Sequence, residues 1–137
     1  MPQMIFVNLP VKDLDTTKAF FGKLGFSFNP QFSDDKTACL VISDTIFAML
    51  LTEPRFKEFT KKEIADTSRT TEVLLALSAE SREKVDEMAD TALASGGSPA
   101  NEPQDHGFMY GRSFQDPDGH TWEVIWMDPS AVEGGQG

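Results

Sequence analysis

The 137-residue sequence predicts an α+β fold built from two modules with the same order of elements, strand–helix–three strands. Three observations support this prediction. Two segments carry apolar residues at helical spacing, and short runs rich in β-branched and aromatic residues surround them. The order of elements in the first half of the chain is also repeated in the second half. We therefore place module 1 at about residues 1–53, a polar linker at 54–69, module 2 at about 70–130 and a flexible Gly-rich tail at 131–137.

Module 1 begins with a predicted strand at residues 4–9, followed by a helix at 14–24. Asp13 or Asp15 can cap this helix, and Gly25 can end it. The helix has one apolar stripe, made of Leu14, Phe20, Phe21 and Leu24. Three further strands are predicted at residues 26–32, 37–42 and 45–52. The charged linker contains Pro54 and one possible helical turn, at 55–59.

Module 2 repeats the order, with a strand at residues 71–77 and a helix at 82–95 that Ser81 can cap. The apolar positions of the helix keep the spacing i, i+3, i+4, i+7, i+8 and are Val85, Met88, Ala89, Ala92 and Leu93. A short strand near 99–103 and a hairpin of strands at 108–115 and 120–127 complete the module.

The hairpin contains the most informative stretch of the chain. Its turn is Asp116-Pro117-Asp118-Gly119, in which Pro presets φ, Asp bonds back to the backbone and Gly accepts a positive φ. Glu123 follows in a strand that is otherwise strongly apolar. Because buried acids are rare unless they are paired or functional, Glu123 is a candidate for a functional site.

The charge of the chain excludes some classes of partner. The net charge is −10, and residues 70–137 contain all of the excess, with thirteen acidic and three basic side chains. An acidic surface without a basic patch argues against binding of nucleic acid or of an anionic membrane. The single Cys39 lies in an apolar run, where a buried thiol is expected, and no signal peptide or membrane span is visible. These features predict a cytoplasmic protein.

Three strings identify a family when they are taken together: Val11-Lys12-Asp13-Leu14, Phe20-Phe21-Gly22-Lys23-Leu24-Gly25-Phe26 and Asp116-Pro117-Asp118-Gly119-His120-Thr121-Trp122-Glu123. With the repeated order of elements, they resemble the vicinal oxygen chelate superfamily of glyoxalase I, bleomycin-resistance proteins and extradiol dioxygenases. Within it the chain is most similar to small bacterial lactoylglutathione-lyase-like proteins. The resemblance implies that each module forms half of a cup around a central cavity, and that the protein is a homodimer.

The resemblance also implies where metal ligands would lie. One family ligand falls on Glu123, and the other three positions fall on Phe6, Met49 and Leu74. Phe and Leu have no donor atom, and a thioether does not hold a hard divalent ion. We therefore expect no metal site of the family type. An alternative is a shifted set of oxygen ligands for Mg²⁺ or Mn²⁺, made of Asn8, Glu72 and Glu123.

The leading functional hypothesis is metal-independent binding of a small molecule. The expected substrate-binding residues are Phe6, Asn8, Met49, Glu72, Leu74, Tyr110 and Arg112. For Arg112 two interpretations stay open: an ion pair with Glu123 across the hairpin, or bidentate binding of a carboxylate or phosphate of the ligand. Glu72 lies near a strand start, where it can also simply reach solvent. His106 and His120 are expected at the surface, since neither has an acidic partner at a recognisable spacing.

Two other functions are compatible with the sequence. The first is a lyase or isomerase in which Glu123 is the general base on a carbon acid, with Arg112 or a metal stabilising the enolate. The second is an interaction module with a filled cavity. The segment at 53–69 is expected to act as a lid over the cavity.

Overall fold

A computed structural model describes residues 2–131 and shows the predicted α+β fold of two βαβββ modules. The chain divides into two compact units between Asp66 and Thr67. These units are module 1 and module 2 below. Most of the predicted flexible tail, residues 132–137, lies outside the described residues.

Module 1 has one four-stranded sheet in the order β1-β4-β3-β2. Its elements are β1 (Ile5–Val11), α1 (Leu14–Lys23), β2 (Ser27–Phe28), β3 (Thr37–Val41) and β4 (Ile46–Thr52), followed by the short helix α2 (Glu53–Lys57). The first strand pairs in parallel with the last, and the other pairs are antiparallel. The parallel pair follows from the helix that connects β1 to the rest of the sheet, because parallel strands need a long crossover connection.

The sequence explains where α1 begins and why β2 is short. The Asp13 carboxylate caps α1 by accepting from the backbone N–H of Asp15 at 3.2 Å, which satisfies a donor that the helix itself leaves free. The predicted strand at 26–32 is wrong beyond Phe28, because residues Pro30–Phe32 form a 3₁₀ turn. Pro30 favours that turn through its fixed φ, and the Asn29 side chain caps it by accepting from the Gln31 N–H.

Module 2 has a second sheet in the order β5-β9-β8-β6, with β7 paired to β8 as well. Its elements are β5 (Leu74–Ser78), α3 (Arg82–Ala94), β6 (Ser98–Pro99), β7 (Gln104–Asp105), β8 (Met109–Gln115) and β9 (Thr121–Met127). The short strand predicted near 99–103 is therefore two separate pieces of two residues each. As in module 1, the first and last strands are parallel neighbours.

The strands of module 2 have two unlike faces. Successive side chains alternate between the faces of a strand. One face packs on α3, whose buried residues are Val85, Ala89 and Ala92, and it contributes the buried residues Phe114, Trp122 and Val124. The opposite face of β5, β9 and β8, here called the open face, contains Leu74, Ala76, Ser78, Glu123, Ile125 and Met127.

Candidate ligand-binding face of module 2

Glu123 lies in the middle of the open face. The strand register places it between Ala76 of β5 and Ser113 of β8. Its side chain is half-buried, whereas the neighbouring Leu74 and Met127 are 57% and 45% exposed. The sequence prediction that singled out Glu123 thus identified a carboxylate in the centre of an accessible and largely apolar surface.

An apolar groove runs along this face beside Glu123. Its volume is about 330 Å³, and the residues that line it are Ala76, Leu77, Ser78, Ala79, Ile125 and Met127. Small side chains at positions 76, 78 and 79 leave the space open, and the larger Ile125 and Met127 form its apolar wall. The volume lies at the lower end of the range for sites of small organic ligands.

A smaller polar pocket adjoins the groove at Ile125. It has a volume of about 50 Å³ and is lined by Asn101, Glu102, Gln104, Met109, Gly111, Arg112, Ser113, Glu123 and Ile125. The segment after β6 is attached to this pocket, because the backbone N–H of Asn101 donates to Ser113 Oγ at 2.8 Å. The pocket holds only a group the size of a few atoms, so the groove and the pocket together suit a ligand with an apolar body and a small polar end.

The Asp116–Gly119 turn fixes the strand that carries Glu123. The buried carboxylate of Asp116 accepts from the Asp118 and His120 backbone N–H groups, at 2.9 and 3.1 Å, and from Trp122 Nε1 at 2.9 Å. Burial raises the pKa of this carboxyl group. Gly119 has φ +82°, and a Cβ there would lie 2.6 Å from Thr67 Oγ1, so both the turn and the close approach of Thr67 require glycine.

The side chains of Arg112 and Tyr110 belong to the face of the sheet opposite that of Glu123. Arg112 is the strand neighbour of Val124 and is therefore on the face that packs on α3. Its guanidinium donates to Asp86 at 3.0 Å and to Asp90 at 2.8 Å, and the Tyr110 hydroxyl donates to Asp86 at 2.6 Å. This geometry contradicts the ion pair of Arg112 with Glu123, whereas binding of a ligand anion by Arg112 stays a prediction.

The interpretation of His120 as a surface residue is wrong, whereas Glu72 is exposed, as expected, and in addition contacts the His120 ring. His120 is only 1% exposed, and its Nδ1 lies 2.6 Å from Glu72 Oε1. This pair ties the residues before β5 to the start of β9. The contact spans 48 positions in the sequence, and the parallel pairing of β5 with β9 creates it. His106 is exposed, as predicted.

The predicted residues of module 1 share one face of its sheet. Asn8 and Met49 are direct strand neighbours, and so are Phe6 and Phe47, whose rings stack at 5.1 Å. Phe6 is 49% exposed, and the Asn8 side chain donates to the backbone carbonyl of Phe6. Ligand binding by Phe6, Asn8 and Met49 stays a prediction, as does the lid role of the linker.

The residues of this chain do not fit the divalent metal of the family. Phe6, Met49 and Leu74 stand at three of the four positions that the resemblance assigns to ligands, and their side chains supply no hard donor. In the alternative set of oxygen ligands (Asn8, Glu72 and Glu123), the Glu72 carboxylate contacts the His120 ring. Among residues 2–131, no three His, Cys, Asp or Glu side chains are grouped so that they could hold a metal ion.

Comparisons with known proteins agree with the fold. The model of the Glyoxalase/Bleomycin resistance protein/Dioxygenase superfamily matches residues 3–124. Hypothetical protein SA1046 from S. aureus has a similar structure, with 26% identity and a TM-score of 0.78 over 92% of this chain and 94% of that one. A comparison with curated proteins finds no match. In the described part of the chain, no helix has the length and apolar character needed to span a membrane.

Two further solved structures are similar at lower identity. A glyoxalase/bleomycin resistance protein/dioxygenase family enzyme from Burkholderia phytofirmans has 16% identity and a TM-score of 0.75, over 92% of this chain and 99% of that one. The fosfomycin resistance protein FosX from Listeria monocytogenes has 19% identity and a TM-score of 0.67, over 95% of this chain and 97% of that one.

Proposed function

Because the chain belongs to the glyoxalase/bleomycin resistance protein/dioxygenase superfamily, we propose that it binds a small organic molecule without a metal ion, on the open face of module 2. The apolar body of the ligand lies in the groove, and its polar end reaches Glu123. The observation that carries this proposal is the apolar groove of about 330 Å³ beside a half-buried carboxylate.

General properties of ligand sites support the proposal. Such sites combine apolar walls with a small number of polar groups that orient the ligand. Ile125 and Met127 supply the apolar wall here, and Met127 is 45% exposed in the described chain. A ligand that covers these side chains gains free energy by removing apolar surface from water, at about 25 cal/mol per Å².

The alternative function, a lyase or isomerase, has less support. Glu123 keeps a position from which it could act as a general base. The guanidinium that was expected to stabilise an enolate, that of Arg112, bonds instead to Asp86 and Asp90. Binding therefore explains the site with fewer added assumptions than catalysis does.

Filling the groove tests the proposal. Ala76 borders the groove and is the strand neighbour of Glu123, so Ala76→Trp should block it. We expect thermal-shift and calorimetric screening of small aromatic amphiphiles to find ligands of the wild-type protein. Ala76→Trp should weaken their binding by at least about tenfold, or about 1.4 kcal/mol.

A matched control is Ala94→Trp, which adds the same side chain at an exposed position of α3. This variant should bind as the wild type does. Equal binding by Ala76→Trp and the wild type, or no binding by any compound in the series, would contradict the proposed site.

A further inference from the structure

We propose that the ligand of the open face is a small organic cation, with an apolar body in the groove and an amine or ammonium group at Glu123. This inference rests on the proposed function and adds the charge of the ligand to it. It follows from the distribution of charged groups around the groove and the polar pocket.

Two carboxylates border the polar end of the site. Glu123 lies in the middle of the open face, and Glu102 lines the same pocket from the segment between β6 and β7. The polar residues that accompany them, Asn101, Gln104 and Ser113, are uncharged. A carboxylate only accepts hydrogen bonds when it is ionised, so a ligand with N–H donors and a positive charge is complementary to this end.

The cationic side chains of module 2 are mostly engaged elsewhere. Residues 67–131 contain four of them, and three pair with carboxylates away from the groove. Arg112 bonds to Asp86 and Asp90, and Lys84 lies 3.4 Å from Glu87 on α3. The Arg82 guanidinium bonds to both carboxylate oxygens of Asp105.

Among the residues of module 2 that the structure describes, Arg112 is the one cationic residue that borders the polar pocket. Its charge is directed to α3, where two carboxylates accept from it. An anionic ligand group would therefore meet Glu102 and Glu123 without a free guanidinium to offset them. A phosphate or carboxylate at this end is disfavoured, which argues against the interpretation of Arg112 as the anchor of a ligand anion.

A matched set of three ligands tests the inference. 4-Phenylbutylamine, 4-phenylbutan-1-ol and 4-phenylbutanoate share one apolar body and differ in the charge of the polar end. At about pH 7.5 the amine is protonated and the acid is ionised. We expect calorimetry at low ionic strength to give binding that is at least about fivefold tighter for the amine than for the acid, with the alcohol between them. In about 0.5 M NaCl this preference should shrink.

Variants that replace a carboxylate by a carboxamide show which side chains cause the preference for the amine over the acid. Glu123→Gln and Glu102→Gln should each reduce the ratio of amine to acid affinity, and the double variant should bring it close to one. The control is Glu83→Gln, which removes an equal charge at an exposed position of α3 and should leave the ratio unchanged. Circular dichroism of each variant checks that the fold is kept. If one of the two single variants does not fold, the other still tests the inference.

The outcomes separate the two proposals. If the acid binds as tightly as the amine, or if the ratio survives in the double variant, the cationic ligand is excluded while binding in the groove stands. If none of the three compounds binds, and Ala76→Trp does not alter binding of any compound from the wider screen, the proposed function fails and this inference fails with it.

Discussion

At the scale of single residues, Asp116 does most to organise the hairpin that carries Glu123. Its carboxylate accepts three hydrogen bonds, two from the backbone of the turn and one from the indole of Trp122. Burial raises its pKa, so the charged form carries a cost that these bonds offset. Asp116 is therefore a structural acid, whereas Glu123, seven residues later, is the half-buried acid in the middle of the open face.

Asp116→Ala should lower the free energy of unfolding by about 3 kcal/mol, because it removes the carboxylate that accepts from the Asp118 and His120 backbone N–H groups and from the Trp122 indole. Urea denaturation at neutral pH measures this loss. Asp44→Ala, which removes an equal charge at an exposed position between β3 and β4, should change stability by less than about 0.5 kcal/mol. Equal losses in the two variants would refute the role of Asp116.

At the scale of elements, polar contacts hold α3 on its sheet. The Tyr110 hydroxyl and the Arg112 guanidinium both donate to Asp86 in the helix, and Arg112 also donates to Asp90. At the start of the helix, the Arg82 guanidinium bonds to Asp105 and lies 5.1 Å from the centre of the Tyr110 ring. These contacts fix the helix on one face of the sheet, and the other face is left for the groove.

The pair of Tyr110 and Asp86 should make stability depend on pH. The hydrogen bond from Tyr110, with the help of Arg112, lowers the pKa of Asp86, and the same bond raises the pKa of Tyr110. The stabilisation is therefore lost as pH falls below about 4, through the lowered pKa of Asp86, and as pH rises above about 10, through the raised pKa of Tyr110.

Tyr110→Phe measures this contribution. Between about pH 4 and pH 10 the variant should be less stable than the wild type by about 1 kcal/mol, and the difference should shrink outside that range. Urea denaturation over a pH series checks the profile. The control variant Asp90→Asn keeps the hydrogen bond between Tyr110 and Asp86 and should still lose stability at alkaline pH. If the stability difference between the wild type and Tyr110→Phe does not vary with pH, the proposed contribution of this hydrogen bond is contradicted.

At the scale of the whole molecule, the charge is unevenly distributed along the chain. Residues 1–69 have nine acidic and nine basic side chains, whereas residues 70–137 have thirteen and three, which gives the net charge of −10. A net charge of this size destabilises a compact state through self-repulsion. It also raises the local concentration of small cations near module 2, in agreement with the ligand charge proposed above.

Salt should therefore stabilise the protein. Raising NaCl from about 0.01 to 0.3 M shortens the Debye length from about 30 Å to less than 8 Å, and we expect Tm to rise by about 2–4 °C as repulsion is screened. Thermal unfolding followed by circular dichroism measures the shift. KCl should act as NaCl does, since screening depends on ionic strength; a constant or falling Tm would show that repulsion is not significant.

Features that depend on neighbouring residues could be predicted from the amino-acid sequence. The helices at 14–23 and 82–94, the Asp116–Gly119 turn and the strand position of Glu123 all follow from local spacing and turn chemistry. The family strings extended this to the two βαβββ modules. The turn also defined the register of the hairpin, from which the separation of Arg112 and Glu123 onto opposite faces could have been predicted.

Contacts between side chains that are distant in the sequence could not be predicted in this way, because they depend on the packing of the elements. The contact between Glu72 and His120 depends on the parallel pairing of β5 with β9. The hydrogen bond of Arg112 to Asp90 depends on the way α3 crosses its sheet. The groove beside Glu123 exists because α3 covers one face of the sheet and small residues occupy the other. Local patterns determine secondary structure and turns, whereas partners and cavities depend on how elements pack in space, which local sequence does not encode.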